Sequence, residues 1–552
     1  MDKSQGPENG ANHPQTFDFF GEDERSQELN DFVRGLTELL SGHVGRFPRE
    51  AALDAVKVLL KHHAAFDSEC SDPNETMTIA KLEDMISEMK RGFEEINLKV
   101  FAENVGRLEK DGAIIAKKKK EFREKGIRLR VYQKYPATVM TAVGPLKYRR
   151  TALRPSFDED KRLLEENGVR GYVFPLDDAL GLSGLPFGMT VEAMLAVAKE
   201  ATLRESYEDA ERFLKETTPV AINDDTVRMV TNLIGSLVRA NDARVAAEAW
   251  DKFKGGLLAF PEVKKAHTLY LRCGGTMVAA RPGKEDAAEE RPRKRGRERE
   301  DDGKGVIWKE CEWGLAFSTE NVVFRTDGRG HRVTKKEYAA SMGSRDEFFK
   351  LMLSLALRNG HGSCENTVLI SDGSAWIRDM RETCFPDAAS ILDFHCLSER
   401  VRAYAEEIFN HDEIKRAKWA DDLTRLFGSG KFEEAVETVK RLPERERAKA
   451  KFDLSRYLDD NKNDMDYSSL AKQGYFIGLG APESGDGIAP SRRVKRGGTR
   501  WNVESARAVL SLAAKLESGL WNSGVADPVY VRYAGAPAAA VKQRRPRRSE
   551  TN

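Results

Sequence analysis

Between residues 262 and 397 strand-like and helix-like segments follow one another in an order that predicts an α/β protein built on a mixed sheet. Two runs, Thr268–Cys273 and Trp308–Ser318, have strand length and apolar or alternating character. Asn321–Arg325 reads as a third strand, so the three can form a meander. A helical pattern at Arg345–Arg358 leads into the apolar strand Thr367–Ser371. A short helix from Ala375 and another strand, Ser390–Phe394, then complete the alternation. A meander followed by helix and strand in turn gives a mixed sheet with helices on its faces.

The remaining elements are justified in chain order. Residues 1–26 are polar, with Gly, Pro and Asn, and read as a flexible tail. Residues 27–127 are helical in pattern: Phe32, Leu36, Leu39 and Leu40 share one face, and a second run passes through Ile79, Leu82, Met85, Ile86 and Met89. The basic run Lys117–Lys120 near its end fits a solvated helix face as well as a phosphate-contacting arm. Residues 128–188 change period, with strands at Arg128–Gln133 and Val139–Thr151 around a Gly144–Pro145 turn. In residues 189–245, Ser206 with Asp209 starts one helix and Asn223–Asp225 can cap a second, whose inner face is Val227, Val230, Leu233, Ile234 and Leu237. Two helices so joined can be a helix-turn-helix, with Thr226, Arg228 and Thr231 near the start of the reading helix. Generic helical packing gives the same pattern.

Inside residues 262–397 lies the charged stretch 281–305, which cannot bury a core and reads as a disordered loop. Its PRKRGR could touch DNA, although mixed-sign charge weakens that reading. Residues 398–470 read as helical, at Ser398–Phe409, Phe432–Arg441 and Glu444–Tyr457. Residues 471–525 return to the core, and 526–552 form a basic tail. A three-strand meander followed by alternating helix and strand is the RNase H-like order. The fold expected is therefore α/β, an RNase H-like mixed-sheet core with a helical insertion, preceded by a mostly helical region containing the helix pair.

Composition bounds the function. A chain of 552 residues holds several domains, and 32% charged residues with a net charge of +1 require any anion-binding surface to be a local patch. Six well-separated cysteines without a CxxC pair exclude a zinc ribbon and a small disulfide scaffold. No apolar run approaches ~18 residues and the N-terminus lacks a signal-peptide core, so a soluble intracellular protein is expected. A doubly wound nucleotide-binding enzyme is disfavoured, since neither GxGxxG nor a P-loop follows the first strand.

Two carboxylates stand out. Asp372 ends the strand VLIS at the carboxyl edge of the sheet, where α/β proteins place reacting groups; it could equally cap the next helix. Glu483 lies in the glycine-rich turn GLGAPES. Just beyond it, SRRVKRGGTRW packs Arg492, Arg493, Lys495, Arg496 and Arg500 around a glycine pair and an aromatic, and Asn502 can cap the helix that follows. Acids beside concentrated cations make sense if the acids hold Mg²⁺ and the cations hold DNA phosphates. An ordinary basic surface loop is the alternative. Trp376, Asp393 and His395 fit packing roles as well as functional ones.

Four segments, in one order, resemble the Kra-type insertion-sequence transposases, relatives of the DDE transposases. They are FPLDDALGL with the SYEDA…DDTV helix pair, YLRCGGTMV, ISDGSAWI through FPDAASILDFH, and MDYSSLAKQGYFIGLGAPES through VKRGGTRW. The resemblance spans roughly residues 140–521. It implies an RNase H-like core whose three carboxylates hold two Mg²⁺ (or Mn²⁺) ions for DNA strand cleavage and transfer. It further implies DNA partners (insertion-sequence ends and target), a homodimer on DNA, no membrane, and a bacterial cytoplasmic, nucleoid-associated location. Asp372 matches the second metal-binding acid and Glu483 the third. The helical stretch between them resembles the insertion some such transposases carry.

The departures matter as much. Where the family's first acid precedes Gly-Thr-Met-Val, this chain has Gly274, and neither Cys273 nor Gly275 supplies a hard oxygen ligand. His395 falls one place early, with Cys396 in the aligned position, and the family's paired-cysteine ribbon is absent. A lost ligand charge beside Mg²⁺ is worth several kcal/mol even at an effective dielectric near ~20. At ~1.4 kcal/mol per decade, catalysis falls by orders of magnitude. The reading expected first is therefore a DNA transposase with impaired catalysis, and the alternative is a non-catalytic transposase-derived DNA-binding protein. An unrelated RNase H-like nuclease would share the acids but leave the helical insertion and terminal motifs without an account.

Overall fold

The computed structural model describes residues 56–58, 60–61, 79–258, 264–281, 306–324, 331–478, 492–495 and 499–535. Glu483, Arg496, the tail 1–26, residues 282–305 of the charged stretch and residues 536–552 lie outside the described residues. The chain divides into two compact units, Met1–Ser183 and Gly184–Asn552.

The first unit holds α1 (Ile79–Lys110), α2 (Ala113–Glu124), β1 (Leu129–Thr141), β2 (Gly144–Pro155), α3 (Asp158–Glu166) and α4 (Pro175–Ala179). β1 and β2 form one antiparallel hairpin. Its turn falls at Ala142–Val143, not at the expected Gly144–Pro145, because Thr141 closes it. The Val143 N–H donates to Thr141 Oγ1, and that hydroxyl donates to the Gly144 carbonyl. Alternation does the rest: Ala137, Val139, Leu146 and Tyr148 turn inward onto Val105 of α1 and Leu176 of α4. A bulge between Val131 and Lys134 shifts the register.

The second unit opens with α5 (Val191–Leu203), α6 (Tyr207–Thr217) and α7 (Asp224–Lys254). Side-chain caps start both helices of the expected pair: Ser206 accepts from the Asp209 N–H, and Asn223 from the Thr226 N–H. The buried line of α7 is Val227, Val230, Thr231, Ile234 and Val238, with Leu233 and Leu237 only half-buried.

The sheet that follows contains β3 (Lys264–Ala280), β4 (Ile307–Ser318), β7 (Glu337–Ser341), β8 (Cys364–Ser371) and β9 (Ala389–Leu392), in the order β7-β4-β3-β8-β9. β4 runs antiparallel to both β3 and β7, while β8 and β9 continue parallel to β3. This five-stranded mixed sheet makes the protein α/β, as the sequence order predicts. The third strand is a correction. Residues 321–325 supply β5 (Val322–Phe324), which pairs with β6 (His331–Val333) in a separate ribbon, and the meander is completed by β7. Val-Val-Phe has the stronger strand composition, but pairing with residues 312–316 decides sheet membership.

Alternation along β3 sorts the core into layers. Leu269, Leu271 and Cys273 face α8 (Arg345–Arg358) and α9 (Ala375–Cys384). Tyr270 faces the other side together with Leu315, Phe317, Val368 and Ile370. There they meet a helical layer that includes α10 (Phe394–Ile408), α11 (Glu413–Gly428) and α12 (Phe432–Lys440). The layer continues through α13 (Glu444–Arg447), α14 (Leu454–Asp460) and α15 (Tyr467–Lys472). The expected single helix Glu444–Tyr457 is thus two, because Asp453 caps a new start by accepting from the Arg456 N–H. At the far end of β3 the same face meets α16 (Val503–Glu517), capped as expected by Asn502. A π-helical turn, Trp521–Ala526, leads into α17 (Asp527–Ala534). No described helix is long and apolar enough to cross a membrane.

Candidate functional site

Asp372 follows the last residue of β8, where the chain leaves the sheet and turns into α9. Its Oδ1 accepts the Ser374 N–H at 2.9 Å, and its carbonyl accepts the Tyr457 hydroxyl of α14 at 3.0 Å. The carboxylate is half-buried and has no cationic partner among the described residues. The strand-end placement read from the sequence holds, but the alternative reading of Asp372 as a helix cap does not: the N-cap of α9 is Ser374, which has no side-chain cap, and Asp372 closes the turn before it.

Gly274 stands on the neighbouring strand. Arg272 pairs with Ile370, and Asp372 lies two residues beyond Ile370 as Gly274 lies two residues beyond Arg272. The space a side chain would need at Gly274 is taken: a Cβ there would lie 2.5 Å from Cζ2 of Trp313, its cross-strand partner on β4. Beside the indole sits Arg272, 3% exposed, its guanidinium 5.5 Å from the Trp313 ring. Arg272 forms an ion pair at 3.0 Å with the fully buried Asp393. Asp393 also caps α10 by accepting the His395 N–H at 2.8 Å.

This local chemistry is self-neutralising. One buried acid is consumed by one buried cation, and burial with Asp393 nearby pushes the adjacent Cys396 thiol up to about 12. Phe476 N–H donates to the Tyr270 hydroxyl at 3.1 Å, and Phe394 N–H donates to the Ile477 carbonyl at 3.0 Å. A Cβ at Gly478 would lie 3.1 Å from His395 and 3.3 Å from Asp393. Residues 476–478, which lead toward Glu483, therefore pack on Tyr270 of β3 and on the turn that follows β9. Trp376 is a core residue, edge-on to Phe348 at 5.7 Å.

Sequence reasoning missed Glu312. It lies on β4 opposite Gly275, on the sheet face turned away from Trp313, and is 3% exposed. Burial, then the neighbouring Glu310 carboxylate, raises it from 4.5 to about 7. Its signal was available as the acid pair in WKECEW, but only the β4 register shows that it faces inward.

The second candidate surface joins two stretches that the sequence treats separately. In the basic segment, Val494 is buried with Val278, Trp313 and Trp501. Trp501 bridges β3, donating to the Ala279 carbonyl and accepting from the Arg281 N–H. Arg493 is a correction: it is 8% exposed and lies inside, its guanidinium 4.7 Å from the Tyr207 ring and 5.5 Å from Trp501. Desolvation lowers its pKa, and it clamps the basic segment to the start of α6 rather than facing a phosphate. Thr231 is also withdrawn, fully buried with its hydroxyl donating to the Val227 carbonyl, so it presents nothing to a groove. Outside remain Arg492, Arg500 and Arg228, with Lys495 and Thr226 half-buried; Arg228 pairs with Asp225 at 2.8 Å. The first turn of α7 and the basic segment are thus brought together around Tyr207.

The described residues do not fit a two-metal centre. The side-chain space at Gly274 holds an indole, Asp393 is bound by Arg272, and no group of three His, Cys, Asp or Glu among the described residues could hold a metal ion. A cleft of about 450 Å³ between α7, β7, α8 and α16 lies elsewhere, and its charges are satisfied locally, Asp242 by Lys515 at 2.8 Å and Arg507 by the Met342 carbonyl. In comparisons with known proteins, no family model and no curated protein matches the chain.

Proposed function

We propose that this chain is a non-catalytic, transposase-derived DNA-binding protein, in which an RNase H-like core carries the DNA-binding segments and has given up its metal centre. The observation that carries this reading is the Trp313 indole seated in the space of the missing Gly274 side chain, with the Arg272–Asp393 pair beside it. A simple loss of one acid would leave a gap. Here the gap is filled by packing, which suits a scaffold and opposes a cation of charge +2 beside a buried guanidinium.

The fold-level reading is supported by the sheet itself, a three-strand meander followed by helix, strand, helix and strand, with the last two strands parallel to the first. The helix-turn-helix reading is supported by the capped pair α6 and α7, with Thr226 and Arg228 in the opening turns of α7. Arg492, Lys495 and Arg500 from the basic segment would add phosphate contacts beside that pair.

A second reading, a DNA transposase that retains activity, is favoured by one observation. Asp372 is held at its strand end without a cationic partner among the described residues, and the chain leading to Glu483 passes nearby. A nicking and strand-transfer assay with Mg²⁺ or Mn²⁺, using DNA from the flanks of the encoding gene, separates the two. Wild type, Glu483→Ala, Gly274→Asp, and Gly274→Asp with Trp313→Ala are compared, with duplex binding measured in parallel. The proposal expects salt-sensitive binding without nicking by the wild type. Wild-type nicking that disappears in Glu483→Ala would overturn it in favour of the active enzyme.

A further inference from the structure

The hairpin of the first unit carries a charge pattern of its own. Residues 128–155 contain seven Lys and Arg and no Asp or Glu, in a chain whose net charge is only +1. Pairing turns this composition into a surface. Lys134, Pro136 and Thr138 of β1 stand opposite Thr151, Arg149 and Lys147 of β2. The alternate residues Ala137, Val139, Leu146 and Tyr148 pack inward on α1 and α4. Lys134, Pro136, Thr138, Lys147 and Arg149 are all exposed on the outer face, and none of the three cations has a carboxylate partner among the described residues.

Two further arginines of the hairpin are braced. Arg150 lies 3.8 Å from the Phe174 ring and is ion-paired with the buried Asp177, which also accepts the Tyr148 hydroxyl at 2.9 Å. Arg154 lies 4.3 Å from the Tyr132 ring, itself stacked on Tyr172 at 5.4 Å. The bulge at Val131/Lys134 places Tyr132 in this stack. The rings have guanidinium or ring neighbours, so the aromatic cluster serves as a buttress and the outer face is left to cations.

We propose that the outer face of this hairpin is a second DNA contact, an arm that binds duplex DNA through Lys134, Lys147 and Arg149. The inference rests on the DNA-binding reading above and extends it to a unit with no part in that surface. A two-stranded antiparallel ribbon has the width that the major groove admits. Its unpaired cations, with no acid in the strand pair, complement phosphates on either side. A single strand would need exposed ring faces to stack on, and here the rings already face one another and the arginines.

The test is fluorescence anisotropy of the full chain on a labelled duplex across a KCl series. Two variants are compared with wild type: Lys134→Gln with Lys147→Gln and Arg149→Gln, and Lys495→Gln with Arg500→Gln. The arm variant is expected to flatten the dependence of log K on log salt by about 0.9 for each phosphate that is no longer neutralised, and about three phosphates are involved. Affinity at moderate salt should fall at least tenfold. A charge-preserving swap, Lys134→Arg with Lys147→Arg and Arg149→Lys, should keep the wild-type slope, which separates a charge effect from misfolding. An arm variant with wild-type slope and affinity, while the Lys495/Arg500 variant is weakened, would sink the arm and leave the parent reading standing. No duplex binding by the wild type would sink both. A loss confined to single-stranded DNA would also overturn the duplex assignment.

Discussion

The end of β8 and the stretch of β3 beside it, around Gly274, are neighbours in one sheet, yet they have opposite character. At the end of β8 an acid stays half-exposed, closes the turn before α9 and touches no cation among the described residues. At Gly274 on β3 the space for a side chain is closed by an indole, and beside it Arg272 and Asp393 neutralise each other out of contact with water. The difference shows that the sheet position is specified by what fills it. Gly274 is the small partner of a large neighbour, so the missing side chain and the packed indole are one structural fact.

The largest expected effect breaks the closed end. Asp393→Ala leaves the Arg272 guanidinium buried without its counter-charge, which should cost about 3–5 kcal/mol in denaturant unfolding followed by tryptophan fluorescence. A loss under about 1 kcal/mol would mean that water or Cys396 satisfies the cation without the acid. Next comes Gly274→Asp, which forces a side chain against Trp313 and should cost about 1–3 kcal/mol. Combined with Trp313→Ala, the total cost should be clearly less than the sum of the single variants. Strict additivity would show that the indole does not occupy the position.

A third test uses the opposite face of the same strands. Because Glu312 is raised from 4.5 to about 7, the folded state holds more protons than the unfolded one between these values. Stability should therefore fall as pH rises from about 4.5 to about 7, by on the order of 3 kcal/mol, and level off above. In Glu312→Gln that slope should vanish; a slope unchanged from wild type would assign it to another group. The smallest effect is expected at the open end. Asp372→Asn keeps an oxygen for the Ser374 N–H, so stability should stay within about 0.5 kcal/mol of wild type. A larger loss would reveal that the carboxylate charge itself is held.

These contrasts also explain what could be read before the structure. Period and capping are local, so α6, α7, α8, β8 and the strand end at Asp372 were legible. That Gly274 carries no acid was legible too, but Trp313 lies 39 positions away and Asp393 lies 121 positions from Arg272, so only the fold shows what fills the space beside it. The assignment of β7 failed for the same reason: EYAAS is a weak strand by composition and is recruited by its neighbours. Arg493 and Thr231 look like surface residues in a basic or polar run, and packing buries both. The cationic hairpin was legible in principle. Its charge was hidden because acids elsewhere bring the whole chain close to neutrality.

The pairing of α7 with α16 works like a vernier. Asn232 Nδ2 donates to Ser505 Oγ, Gly235 faces Ala508 so closely that a Cβ would lie 2.5 Å from the alanine methyl, and Asp242 pairs with Lys515. Each partner lies 273 positions ahead of the other, so the two helices run in the same direction with one fixed offset. At about 1.5 Å and about 100° per residue, a single insertion in either helix before these contacts would put all three out of phase at once. α7 is 31 residues long, about 46 Å, and carries Arg228 near one end and Trp250, packed on the α8/α9 layer, near the other. Its length and phase are therefore fixed by a helix that lies beyond the sheet in the chain, and a change in residue count there would act as a rotation of everything α7 carries.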